Sequence, residues 1–132
     1  MFRWIDHTAE LELEIEAPSE EAVFAEALAA FAELAGDADG PAASVEVEVE
    51  VDGDDHALLL VEWLSELIYL SEAERLVPER TTSLNLEGGK LRATVEGRRG
   101  RPRHLVKAVT LHRLELRRDD MVGWRARVVL DV

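Results

Sequence analysis

Cysteine is absent from the 132 residues, which excludes both a disulfide framework and a thiolate metal site. Any metal has to sit on oxygen or imidazole. Aromatic residues make up only 5% of the chain, so there is little surface on which nucleic-acid bases could stack. Long apolar runs are missing too. No stretch approaches the roughly 18 residues needed to cross a bilayer, and the opening MFRWIDHTAE has no signal-peptide core. The expectation is a cytoplasmic protein with no membrane association. Bases are nearly absent from one half: residues 1–74 hold 21 Asp and Glu against Arg3 alone, a net of −20. Residues 75–132 hold 14 Lys and Arg against 7 Asp and Glu, a net of +7, which leaves −13 for the chain. That total argues against strong direct nucleic-acid binding. The split itself reads in two ways. Either the halves attract each other within one domain, or an acidic and a basic surface meet different parts of a partner.

The composition, 47% hydrophobic and 33% charged, suits a folded core. The length predicts a single domain over residues 1–132, able to bury roughly two-thirds of its unfolded surface. Leu11, Leu13 and Ile15 alternate with Glu10, Glu12, Glu14 and Glu16, a period of two that predicts a strand with one face in the core and one in water. Phe2, Trp4 and Asp6 continue the alternation upstream. Ser19 caps a predicted helix to Leu34, with Ala22, Val23, Ala25, Ala27, Leu28, Phe31 and Leu34 as its stripe. Pro41 opens a strand from Ser44 to Val51, and a turn at Asp52-Gly53-Asp54-Asp55 leads to an apolar helix over Asp55–Leu70. Beyond Pro78 the pattern predicts strands at Thr81–Leu86, Lys90–Glu96, Val106–Arg117 and Gly123–Val132, with a hairpin turn at Gly88-Gly89 and a basic loop over Gly97–Arg103. The order predicts an α+β, two-layer fold in which two helices cover a mostly antiparallel sheet.

Three groups of residues could carry chemistry. The terminal Leu130-Asp131-Val132 either frays into water or presents the Asp131 side chain and the Val132 α-carboxylate as hard oxygen donors for Ca²⁺, Mg²⁺ or Mn²⁺. Asp6-His7-Thr8-Ala9-Glu10 sets carboxylates and an imidazole near the first strand; it is a neighbour for Asp131 if first and last strands lie together, or merely a turn and the start of the solvated Glu face. Lys107, entering the apolar strand in the stretch Lys107–His112, either pairs a carboxylate, touches a partner's anion, or is a plain surface lysine. There is no P-loop, no G-x-G-x-x-G, no G-x-S-x-G elbow and no H-E-x-x-H. A small hydrolase using Asp6, His7 and Glu10 as acid and base is one alternative; RNA-phosphate contact by Arg98-Arg99-Gly100-Arg101-Pro102-Arg103 is another.

Taken in order, these segments resemble the archease family. Asp6-His7-Thr8-Ala9-Glu10 is similar to its D-H-T-A-D opening, and Gly53-Asp54-Asp55 with Leu59 to Tyr69 is similar to its second helix. Lys107-Ala108-Val109-Thr110-Leu111-His112 resembles its K-A-V-T-Y-H strand, and Val129-Leu130-Asp131-Val132 its acidic end. The resemblance implies a two-layer α+β fold and an accessory, non-enzymatic role with RtcB-type RNA ligases, the GTP- and Mn²⁺-dependent enzymes of tRNA splicing and RNA repair, promoting guanylylation and repeated turnover. It implies a calcium-type site on Glu10, Asp131 and Val132 and a functional contact at Lys107, with His7 beside them. Glu10 stands where the family has Asp, one methylene shorter. A chaperone-like role toward an RNA-modifying enzyme such as a tRNA methyltransferase is the other role the resemblance implies.

Overall fold

The structure, a computed structural model, describes residues 1–7, 9–36 and 44–132. Its strands are β1 (Phe2–His7), β2 (Glu10–Ala17), β3 (Ser44–Asp52), β4 (Leu76–Glu87), β5 (Lys90–Arg99), β6 (Ala108–Asp119) and β7 (Gly123–Asp131); its helices are α1 (Glu20–Ala35) and α2 (His56–Ala73). Two helices on antiparallel strands is the predicted arrangement. The strands divide into two sheets, β1-β2-β7-β6 and β3-β5-β4. The helices bridge the sheets: α1 lies against β4 and β2, and α2 against β6, β3 and β4.

Local chemistry sets the element ends. Ser19 is the N-cap of α1, its hydroxyl accepting from the Ala22 amide at 3.2 Å, and Gly36 closes the helix with φ 76°. Asp55 caps α2 by accepting from the Ala57 and Leu58 amides. Trp63 is fully buried, and its indole N–H donates to the Phe24 carbonyl at 2.9 Å, tying α2 to α1. The buried side of α1 includes Phe24, Ala30 and Ala35 in addition to Val23, Ala27, Leu28 and Phe31. His56 places one ring nitrogen 2.7 Å from Glu20 and the other 2.7 Å from the Gly88 carbonyl, and these acceptors, Glu20 first, raise its pKa.

The structure corrects four expectations. The opening alternation is two strands, β1 and β2, which pair antiparallel, with Ala9 in a turn before β2; Thr8 lies outside the described residues, as does Pro41. The second helix runs past Leu70 to Ala73 with Glu74 as its C-cap, and the next residue, Arg75, takes φ 52° where no glycine marks the stop. Strand β4 starts at Leu76 and carries Pro78 within it, which is tolerated because β4 is an edge strand. Gly97, Arg98 and Arg99 belong to β5 rather than to the basic loop: a Cβ on Gly97 would lie 2.4 Å from the Val77 carbonyl, so only glycine lets the strands close there.

Candidate functional site

In β2, Leu13, Ile15 and Ala17 enter the core, which turns Glu10, Glu12, Glu14 and Glu16 to the opposite, helix-free face. Directly opposed residues of antiparallel strands point to the same face. Along β2 and β7 these pairs are Glu16 with Arg125, Glu14 with Arg127, Glu12 with Val129 and Glu10 with Asp131. Opposite charges meet at the first two positions. Two carboxylates meet at the last.

At the first end the charges are satisfied. Arg125 reaches Glu16 and Asp119 at 2.7 Å each, Arg3 reaches Glu14 at 2.6 Å, and Arg127 reaches Glu115 at 2.9 Å. The amides of Met121 and Val122 also donate to Asp119. The Met121 amide, followed by Arg125, holds the Asp119 carboxyl down at about 2, and Asp119 in turn raises the Arg125 pKa.

At the other end, neither Glu10 nor Asp131 has a salt bridge or side-chain hydrogen bond among the described residues. Glu10 is flanked by His7 on β1, and Asp131 by Ala108 on β6. The Lys107 amide donates to the Asp131 carbonyl at 2.8 Å, and the Val132 amide donates to the Ala9 carbonyl at 3.4 Å. The sheet therefore brings His7, Glu10, Asp131, Val132 and Lys107 to one corner. Lys107 is exposed and precedes β6 instead of lying within it. Asp6 is adjacent to His7 in an extended strand and so faces the opposite side; it does not join His7 and Glu10. Ala9, with φ 62°, holds the left-handed conformation that turns the chain into Glu10.

Glu12 overturns its reading as a solvated residue: it is 3% exposed. Strand β6 sets four residues, Leu111 to Leu114, opposite Val128 alone, three more than regular pairing allows, and Arg113 takes φ 58° within them. This bulge folds back so that Arg113 Nη1 lies 2.8 Å from Glu12 Oε1, with His7 Nε2 at 3.6 Å. The oxygen accepts no aligned hydrogen bond, so the guanidinium supplies charge without full satisfaction of the acceptor. Arg127 Nε donates to the Arg113 carbonyl at 2.9 Å and pins the bulge. Nothing in Leu111-His112-Arg113-Leu114 signals a bulge, because no glycine, asparagine or proline occurs there.

Among the described residues, no three side chains of His, Asp or Glu converge as a ready-made metal cage. The corner fits a hard cation in a narrower sense: its two opposed carboxylates have the right donor chemistry, and their repulsion has no arginine to offset it.

Such a structure defines a small antiparallel α+β protein with a carboxylate corner and a lysine tethered beside it. The sequence profile of the Archease protein family matches residues 2–132, and the chain belongs to that family. It is 33% identical over 136 residues to the archease of Archaeoglobus fulgidus, covering 99% of this chain and 98% of the relative. It is 30% identical over 140 residues to that of Methanosarcina barkeri, covering 99% and 95%. Among solved structures it is similar to Methanobacterium thermoautotrophicum protein 1598, with TM-score 0.74, 29% identity and coverage of 99% and 98%. It is also similar to an archease of Thermotoga maritima described as a possible chaperone, with TM-score 0.70, 25% identity and coverage of 100% and 98%.

Proposed function

We propose that this protein is an accessory factor that activates an RtcB-type RNA ligase, promoting its guanylylation and multiple turnover through a carboxylate-bound divalent cation. The observation that carries the reading is the Glu10–Asp131 pair, two carboxylates directly opposed across β2 and β7 on a face where the other charged pairs are complementary. Glu10 and Asp131, with the Val132 α-carboxylate, would hold the cation, of calcium type with magnesium and manganese as alternatives. When bound, it supplies positive charge beside a partner's phosphates or reactive metal.

The chain's own residues supply position and charge. The Lys107 amide bond to the Asp131 carbonyl keeps the lysine next to the carboxylates, where its ammonium contacts an anion of the partner. His7, opposite Glu10, is a second contact at the rim. The absence of nucleophile motifs in the sequence fits an assistant to another protein's chemistry.

A chaperone-like role toward an RNA-modifying enzyme such as a tRNA methyltransferase is the second reading, favoured by the description of the T. maritima relative as a possible chaperone. Multiple-turnover ligation by a cognate RtcB-type ligase, with GTP and Mn²⁺, separates the two. Acceleration by the wild-type protein that is lost in Asp131→Ala, with the variant still folded, supports activation. Failure of the wild type to accelerate ligation rejects it and leaves the chaperone reading, which predicts suppressed enzyme aggregation without any metal.

A further inference from the structure

The eighteen residues from Gly97 to Leu114 contain six Lys and Arg and no Asp or Glu. In a chain with 28 acidic residues that run stands out; Arg98 pairs with Glu79 and Arg113 with Glu12, which leaves the positive charge of its middle, Arg101 and Arg103, without a carboxylate. Arginines elsewhere in the molecule are mostly ion-paired: Arg3, Arg80, Arg92, Arg117, Arg125 and Arg127 each reach a carboxylate. Arg101 and Arg103 have no carboxylate partner among the described residues, and neither does Arg75, which lines one cleft with Arg101.

The strap that carries them, residues 100–107, is fixed by its backbone. The Gly100 amide donates to the Arg75 carbonyl at 2.7 Å, the Arg103 amide to the Ala35 carbonyl at 2.7 Å, and the Lys107 amide to the Asp131 carbonyl at 2.8 Å. It thus runs from the end of α2, past the end of α1, to the carboxylate corner, with Arg101, Arg103, His104 and Leu105 exposed. Pro102 restricts Arg101 to extended backbone. Arg75 and Arg101 both line a cleft of about 260 Å³ between α2 and the strap, which Glu72 of α2 also lines without pairing to either arginine. Arg75 also keeps a left-handed φ of 52° at a helix end where glycine is the usual occupant; an arginine held there at a conformational cost points to use of its side chain.

We infer that Arg75, Arg101 and Arg103 form a contact for the phosphodiester backbone of single-stranded RNA. A protein partner's surface is mixed in sign around an apolar centre, whereas this strap is of one sign with Leu105 as its single large exposed apolar side chain. A uniform polyanion is the better complement, and guanidinium forks match phosphate oxygens. Aromatic side chains are lacking along the strap, so the contact reads backbone and not base. The remaining acidic surface keeps the interaction weak, and at physiological salt its repulsion is screened beyond about 8 Å.

The test is fluorescence anisotropy of a labelled 20-nucleotide oligouridylate with the full chain between 20 and 200 mM salt. Three phosphate contacts predict a slope of log affinity against log salt of about −2, at roughly −0.7 per contact on a single strand. The double variant Arg101→Gln, Arg103→Gln keeps the side-chain stems, including the Arg103 stem packed against Gly36, and is expected to bind about ten-fold or more weakly with a slope near −0.7. Arg118→Gln, an exposed residue of β6, is expected to leave binding unchanged. Absence of binding at 20 mM salt, or wild-type affinity in the folded double variant, overturns the inference. Displacement of the RNA by polyglutamate at equal charge overturns its assignment to phosphate. No ligase enters the assay, so its outcome is independent of the activation reading.

Discussion

The two ends of the helix-free face of the four-stranded sheet are built from the same strands by opposite rules. At the Glu16 end, carboxylates alternate with arginines across the register, and Arg125 serves both Glu16 and Asp119. At the Glu10 end, the register sets carboxylate against carboxylate. Between them lies Glu12, buried but served by Arg113 from the bulge. The first end is satisfied by its own side chains; under the proposed function the second is the end that a bound cation would complete. Local charge pattern alone separates the two ends here, since the β2–β7 backbone pairing is continuous through both.

Asp131→Arg gives the second end the pairing rule of the first. It is expected to lower calcium affinity by at least about 100-fold, the upper end of what loss of a supporting residue costs, while leaving the metal-free protein at least as stable. Calorimetric titration with calcium and thermal melts without it check this; retained affinity would break the contrast between the two ends. Arg113→Ala acts on the middle of the face. Removing one partner of a buried pair costs about 3–5 kcal/mol, and since Arg113 is about half exposed the expected loss is nearer 2 kcal/mol in urea denaturation. Glu12→Met in the same background is expected to restore most of it, because the orphaned charge is then gone.

The smallest effect belongs to the satisfied end. The Asp119 carboxyl is depressed in the folded state to about 2 from 3.8. Its contribution to stability is therefore complete above about pH 4 and is lost as pH falls through the range down to about 2. Asp119→Asn is expected to flatten that acid limb in melts between pH 5 and pH 2. An unchanged limb would show that the turn at Met121 holds without its charge.

The fold was legible wherever period and punctuation agreed. The valine–glutamate alternation of β3, the serine cap of α1 and the Gly88-Gly89 turn were all readable, because each reports a local steric or hydrogen-bonding requirement. The division into two sheets was not legible, since it depends on which strands the helices draw together. The carboxylates and lysine of the corner stood out as residue types in an ordered set of motifs. Glu12 did not: its alternation is indistinguishable from that of Glu14, and its burial is made by a bulge one hundred residues away with no turn residue to announce it. Arg75 was hidden for the same reason, an arginine occupying a glycine's conformation.

Strand β7 ties its two ends to different fates in a way that suits spectroscopy. Met121, in the turn before the strand, is 89% exposed, and the eight steps from Gly123 to Asp131 carry the chain roughly 26 Å away. In a sequence with no cysteine, Met121→Cys creates a single attachment point for a dye or spin label at the far end of the strand from the carboxylate corner. A probe there can follow association with a partner, or the distance to a second label on it, without touching Glu10, Lys107 or Asp131.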